Sequence, residues 1–355
     1  MANDPAASAG TGHYARGMAA DHPGKQPGIA DVARLAGVSI ATVSRVLNGS
    51  EQVSDRRRAT VRRAVDELGY RPNEAARALV SGRNRLVGVL TGDTSRYGYA
   101  STIQGIQEAA MAHGLLVTVA VVPGEHPDDV RAAVELLLSL PLAGVIGIEF
   151  DRPVSLALES LPRALPAATA TLMGTHVSGL PHAYIDDELG ARLATDHLLD
   201  LGHATVHHLS VDHPSESGLG RSYGYLRALA DRGVDAPPVV PTGWHPLQAR
   251  DAVLHSIGPE VTALFCFNDD VAMGAVRALA EQGRRVPDDV SVVGFDDAPS
   301  SQVLTPSLTS VRMDFRGLGR AVLEQLVARV EGVERPDDVE LPPLLVERES
   351  SAPPR

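Results

Sequence analysis

The 355-residue sequence predicts an α/β protein, with a three-helix helix-turn-helix unit and a hinge followed by two doubly wound α/β subdomains. Three observations carry this expectation. Apolar residues recur at helical spacing between Ile29 and Leu68, with a glycine separating the first two stretches. From Leu86 onward, short apolar strands alternate with helical patterns, as parallel sheets with helical crossovers require. Charge is also divided unevenly. Residues 24–85 hold twelve basic and six acidic side chains, a balance of +6, while the rest of the chain stands at −18 and the whole at −12. A basic unit on an acidic body is the asymmetry expected when one end meets a polyanion.

Residues 1–27 are rich in Ala, Gly, Pro and Asp without periodicity and are expected as a flexible tail. The helix-turn-helix unit is assigned to residues 28–70. Ile29, Val32, Ala33 and Ala36 fall on one helical face, and Gly37 supplies the left-handed backbone that ends the helix. Ser39 then caps a second helix whose Val43, Val46 and Leu47 share one side, closed by Asn48-Gly49. A third helix follows Ser54 and packs through Val61, Ala64, Val65 and Leu68. Residues 71–85 read as a hinge and linker. Pro72 and Asn73 open a helix there, but only about six residues follow before Ser81-Gly82, too few to hold an isolated helix in water.

Residues 86–350 carry strands at Leu86–Leu90, Leu115–Val122, Gly144–Phe150 and Ala167–Leu172, then at Val206–Ser210, Ala263–Phe267 and Ser291–Phe295. Helices are expected near Ser101–His113, Asp128–Leu140, Leu189–Leu201, Arg221–Arg232, Pro246–Ser256 and Asp270–Gln282. Residues 351–355 read as a second tail. A ligand of two such lobes binds between them, at the carboxyl ends of the strands.

Composition excludes several classes. Apolar runs such as Val117–Val122 are far short of the ~18 residues that span a bilayer, so no membrane partner is expected. The first 27 residues lack an apolar signal region, which points to the cytoplasm. Cys266 is the single cysteine, so neither a disulfide framework nor a four-cysteine zinc site is available. His197, His203, His207, His208 and His213 invite a metal hypothesis, but His207 and His208 are adjacent on a strand and point to opposite faces. No metal or cofactor is expected. The chain has no Walker loop, nucleophile elbow or Cys/His nucleophile arrangement, and Gly317-Leu-Gly319 lacks the third glycine of a dinucleotide fingerprint. An enzyme is not expected.

The first two helices have helix-turn-helix spacing. With Val43, Val46 and Leu47 inward, Ile40, Ala41, Thr42, Ser44, Arg45 and Asn48 face outward beside the cap Ser39. These are the early recognition-helix positions that reach base edges of double-stranded DNA in the major groove. Ile40 and Ala41 suit thymine methyl groups, and Arg45 suits guanine or phosphate.

Ala-Thr-Val-Ser-Arg-Val-Leu-Asn at 41–48 and Leu-Gly-Tyr-Arg-Pro-Asn-Glu-Ala-Ala-Arg-Ala-Leu at 68–79 are followed by Val-Gly-Val-Leu at 87–90. Asp187-Glu-Leu-Gly, Leu201-Gly-His, Asn268-Asp-Asp-Val-Ala-Met-Gly and Val293-Gly-Phe-Asp-Asp come later, in that order. On these motifs the chain resembles the lac-repressor (LacI/GalR) family of bacterial transcription regulators, from Ile29 to about Ser350. The resemblance implies lobes of the periplasmic-binding-protein-like type and a homodimer on a pseudo-palindromic operator. It also implies repression of carbohydrate-use genes, relieved by a sugar effector. Asn73, Arg77 and Leu79 then belong to a hinge helix, with Leu79 wedged into the minor groove. Arg221, Trp244, Asn268, Asp296 and Phe315 match effector-contact positions, although Asn268 equally suits a strand-to-helix turn. The chain departs from the family at Gly28, where a capping Thr is common and a small stability loss is expected. It departs again at Leu172-Met173-Gly174, where an acidic sugar contact is missing; Asp93, Arg96 and Tyr97, in the first strand-to-helix loop, are placed to take over part of the polar recognition. Two rival readings are a corepressor-dependent regulator, answering to a purine or a phosphoprotein, and a solute-binding transport protein.

Overall fold

A computed structural model describes residues 27–47, 50, 52–70, 84–174, 179–211 and 216–355, with the backbone alone at 216–219. Two units result, Met1–Gly82 and Arg83–Arg355. In the first, α1 (Ile29–Ala36), α2 (Ile40–Leu47) and α3 (Asp55–Leu68) enclose Val32, Ala33, Val43, Val46, Val53, Val61 and Ala64. Gly37 adopts φ +63°, which lets its N–H and that of Val38 bond back to the last carbonyls of α1. At the other end of α1, Gly28 has no side chain to cap with. Asp31 supplies half of a capping box instead, accepting the Gly28 N–H at 2.9 Å.

The second unit contains two six-stranded sheets. The first runs in the order β2 (Leu116–Val121), β1 (Leu86–Thr91), β3 (Leu142–Glu149), β4 (Ala167–Thr171), β5 (His182–Ile185), β11 (Val339–Leu341), all parallel. The second runs β7 (Val240–Thr242), β6 (His207–Val211), β8 (Ala263–Cys266), β9 (Ser291–Asp296), β10 (Thr309–Arg312), β12 (Leu344–Val346), with only β12 antiparallel. Around the first sheet lie α4 (Tyr97–Ala112), α5 (Pro127–Leu138), α6 (Arg152–Glu159) and α11 (Phe315–Val330). Around the second lie α7 (Asp187–Asp200), α8 (Glu216–Asp231), α9 (Pro246–Ser256) and α10 (Asp269–Glu281). The chain passes between lobes after β5, after β10 and between β11 and β12. Strands β3, β4, β8 and β9 are buried on both faces, which is why they read as continuous apolar runs.

Several elements differ from the sequence expectation. Strands β5, β7, β10, β11 and β12 are three or four residues long and carry too little pattern to be read. Helices α6 and α11 come in addition to those the periodicity predicts. Helices α4 and α8 begin about a turn before the expected Ser101 and Arg221, so Tyr97 is a helical residue rather than a loop residue. Residues 350–352 are bound to the second sheet: Ser350 O accepts from Val292 N–H at 2.8 Å, and Ala352 N–H bonds Ser291 Oγ at 3.0 Å.

Gly319 of α11 marks a close helix crossing. A Cβ there would overlap the Thr102 carbonyl oxygen of α4, and one on Gly105 would overlap the Arg316 carbonyl of α11. The two helices cross backbone to backbone. Gly319→Val is expected to lower stability by about 1–3 kcal/mol or more, since neither backbone can yield without shifting a helix. A urea midpoint within error of the wild type would refute that crossing.

The histidines serve the fold. His203 Nδ1 pairs with Thr262 Oγ1 at 3.0 Å and its Nε2 with Ser291 Oγ at 3.0 Å, while His197 Nε2 pairs with Ser351 Oγ at 2.9 Å. His208 is fully buried, donates from Nδ1 to the Phe265 carbonyl at 3.1 Å and stacks on the Phe265 ring at 4.6 Å. Burial pushes the His208 imidazole down to about 4. The unfolded chain therefore takes up a proton below pH 6.5 that the folded chain refuses until about pH 4, and native stability is lost across that window. In His208→Phe this loss disappears. The stability difference between wild type and variant should move by about 3 kcal/mol in the variant's favour as pH falls from 6.5 to 4. Urea melts at both pH values test this, and a pH-independent difference rules it out.

Candidate functional sites

Helix α2 owes its exposed face to Val43 and Val46, which turn into the three-helix core. Ser39 caps it, accepting the Thr42 N–H at 3.2 Å and sharing a 2.9 Å hydroxyl contact with Thr42 Oγ1. Ile40 is 51% exposed, Ala41 and Arg45 are exposed, and Thr42 and Ser44 are half-buried. Arg56, Arg57, Arg62 and Arg63 of α3 are also exposed. Arg58 instead bonds the Ser50 carbonyl at 3.0 Å and secures the segment before α3. Asn48, Asn73, Arg77 and Leu79 lie outside the described residues.

Between the lobes of the second unit lies an open cleft of about 750 Å³. Tyr97, Arg221, Trp244, Asn268, Asp296 and Phe315, spread over more than 200 positions of sequence, all line it. Arg221 on α8 is 4% exposed. Its Nε donates to Asp187 Oδ2 at 3.0 Å, its Nη1 to the Phe267 carbonyl at 2.6 Å, and its Nη2 lies 3.3 Å from Asp296 Oδ1. The guanidinium is also sandwiched by the Phe267 and Phe295 rings, 4.4 and 4.1 Å away. Two carboxylates share one guanidinium, so burial wins over pairing and pushes Asp187 up to about 7, with Asp296 raised as well. Asp296 holds φ +93°, a strained backbone imposed where β9 ends at the cleft.

Asn268 does two jobs, lining the cleft and capping α10 through its Oδ1, which accepts Val271 N–H at 2.9 Å. Phe315 is buried, edge to face with Tyr97 at 6.0 Å and tilted against Phe150 at 6.0 Å. Asp93 is placed differently from the expectation. Its Oδ1 accepts from Ser95 N–H at 2.6 Å, Ser95 Oγ at 2.8 Å and Arg96 N–H at 3.0 Å, so the carboxylate organises its own loop and does not line the cleft. Burial opposes that charge, but these hydrogen bonds hold the carboxyl below its usual range.

Five further cleft groups are not singled out as site residues by the sequence: Tyr99, Phe150 and Phe267, which no motif marks, and Asp269 and Asp270, which lie in the motif that begins at Asn268. Tyr99 donates to Asp151 Oδ2 at 2.7 Å, and Phe150 and Phe267 stand at the carboxyl ends of β3 and β8. Asp269 accepts from Ala298 N–H at 2.7 Å, Ser301 Oγ at 2.7 Å and Ser310 Oγ at 2.6 Å, fixing the turn after β9. Asp270, its neighbour, is exposed to the cleft. The signal for the aromatics is position, since strand ends are where such lobes bind ligands. No cluster of three or more His, Cys, Asp or Glu able to hold a metal occurs among the described residues, and His213 lies outside them. No helix among the described residues is long and apolar enough to cross a membrane.

Comparison with known proteins identifies the family. The family described as bacterial regulatory proteins, lacI family, matches residues 28–73, and a periplasmic binding protein-like domain matches 195–351. The HTH-type transcriptional regulator GalR of Escherichia coli K12 is 32% identical over 334 residues, covering 92% of this chain and 96% of that protein. Among solved structures, the lac repressor dimer bound to operator and the anti-inducer ONPF superposes with a TM-score of 0.84 at 30% identity, over 92% of this chain and 100% of that one. The CelR–cellobiose complex gives 0.67 at 29% identity, over 91% and 99%. With 32% identity over 92% of its length to the regulator GalR, the chain belongs to the lacI family of bacterial regulatory proteins and is a DNA-binding transcription regulator.

Proposed function

We propose that this regulator is a cytoplasmic homodimer that represses carbohydrate-use genes and leaves its operator when a sugar fills the interlobe cleft. In this reading residues 28–70 bind DNA, 71–85 form the hinge, and 86–350 bind effector and dimerise. Ser39, Ile40, Ala41, Thr42, Ser44, Arg45 and Asn48 face the major groove, and Asn73, Arg77 and Leu79 act in the hinge. The observation that carries the sugar is the cleft itself. A buried guanidinium and carboxylates that can bond hydroxyls stand beside the faces of Trp244, Tyr97 and Phe315, which suit the C–H side of a sugar ring. Cellobiose occupies the related CelR structure.

The ligand touches both lobes and so favours whichever lobe spacing grips it best. Coupling to DNA follows if that spacing differs from the one the hinge needs. Cellobiose and galactose, titrated against the full chain, should change the emission of Trp244, the only tryptophan. The same concentrations of an active sugar should weaken operator binding about 5–150-fold, the usual range of allosteric coupling. A sugar that shifts Trp244 emission yet strengthens operator binding would make it a corepressor and reverse the proposed sign.

A further inference from the structure

Arg96 ends the loop between β1 and α4 on the first lobe, and Trp244 lies in the loop between β7 and α9 on the second. Across the cleft the Arg96 guanidinium rests 3.9 Å from the centroid of the Trp244 ring. Both side chains are braced. Asp93 Oδ2 lies 3.4 Å from Arg96 Nε while its Oδ1 holds the Arg96 N–H, and the Phe267 ring meets Trp244 edge to face at 5.2 Å. A guanidinium on an indole makes the same planar contact that a ring ligand makes with an aromatic platform.

Building on the effector-cleft reading, we propose that Arg96 sets an affinity threshold for effectors as the resident occupant of the Trp244 platform, one that only ligands able to stack well on the indole overcome. A ligand gains that face of the indole only by displacing the guanidinium. A pyranose ring, with its flat patch of C–H groups, can replace the displaced stacking. An open-chain polyol, which must first be ordered to offer a comparable face, replaces it poorly. Because Arg96 and Trp244 sit on opposite lobes, the exchange also replaces a protein–protein tie across the cleft with a ligand-mediated one.

The test uses the full chain, its single tryptophan and the variants Arg96→Ala and Arg96→Lys. Without ligand, the Stern–Volmer constant for acrylamide quenching of Trp244 should at least double in Arg96→Ala. Arg96→Lys, which keeps the charge and loses the plane, should fall between the two. Cellobiose, followed by Trp244 emission, should then bind Arg96→Ala at least threefold tighter than the wild type, and sorbitol should gain no more than cellobiose, since the guanidinium costs every displacing ligand the same. Equal quenching in the wild type and Arg96→Ala overturns the proposal and leaves the effector cleft standing. Cellobiose affinity that falls when the guanidinium is removed overturns it too, because Arg96 is then a ligand contact and not a competitor. If cellobiose moves the emission of neither protein, the sugar reading suffers and the quenching comparison alone decides the role of Arg96.

Discussion

Arg221→Ala is expected to destabilise the second unit by about 3–5 kcal/mol, well beyond a simple loss of ligand response. Asp187 is fully buried and Asp296 nearly so, and both lean on the same guanidinium. Its removal strands two carboxylates in a site walled by the Phe267 and Phe295 rings and frees the Phe267 carbonyl of its donor. The damage should depend on pH with a definite sign. Asp187 is already raised to about 7, so between its ordinary value of 3.8 and pH 7 the folded state holds a proton that the unfolded state has released. Stability therefore falls as pH rises through that window, and losing the guanidinium steepens the fall. Urea melts of wild type and variant at pH 5.5 and 8 should diverge most at pH 8. Arg221→Ala combined with Asp187→Asn should recover part of the loss. A cost below about 1 kcal/mol at pH 8 would mean that the cluster is hydrated in solution. Arg221→Lys, which keeps the charge but cannot serve partners in three directions, should cost less stability and still impair the response to effector.

That cluster also shows how far the sequence could be read. Arg221, Trp244, Asn268, Asp296 and Phe315 are recognisable through motifs shared with a family, and the fold brings all five to one cleft with Tyr97. Asp187 is recognisable only as part of Asp-Glu-Leu-Gly. Which carboxylate faces Arg221 is decided by how α7 packs on α8, thirty-four positions apart in sequence, and no local pattern encodes that contact. Asp93 stands apart from the cleft for the opposite reason. Its sequence neighbours Ser95 and Arg96 bond its carboxylate, the local preference of Asp in turns, and the residue does not line the cleft.

In the fold, periodicity recovers the helices whose apolar stripes are long, and the strands that are buried on both faces. It misses α11, whose Leu318, Val322 and Leu326 do follow a helical period, because Gly317 and Gly319 read as breakers. The cost of Gly319 in helix propensity is outweighed by the close crossing with α4, which admits no side chain there, while a Cβ on Gly317 would overlap the Asp314 carboxylate and Leu341. Strands such as β7 and β12 are specified by their neighbours in the sheet more than by their own three residues.

Operator affinity should fall about 10³–10⁵-fold between 50 and 200 mM monovalent salt if a dimer neutralises about six to ten phosphates. The supply of cations is adequate. Each protomer exposes Arg34, Arg45, Arg56, Arg57, Arg62 and Arg63 in its first unit alone. The acidic remainder of the chain, at −18, works in the other direction, since it repels DNA and added salt screens that repulsion. Screening therefore flattens the observed slope, and the number of neutralised phosphates deduced from it is a lower bound. Two substitutions separate positioning from reading. Arg57→Ala should weaken specific and non-specific DNA alike and make the slope shallower by about one unit for each phosphate the protein ceases to neutralise. Arg45→Ala should cost about 1–3 kcal/mol at each half-site it reads and leave non-specific binding nearly unchanged, if its guanidinium reaches a base edge. Fluorescence anisotropy on an operator duplex and a scrambled duplex, each at several salt concentrations, resolves the two effects. A salt slope near zero would remove the phosphate-binding role from α2 and α3. Equal weakening on both duplexes for Arg45→Ala would move Arg45 from the bases to the backbone.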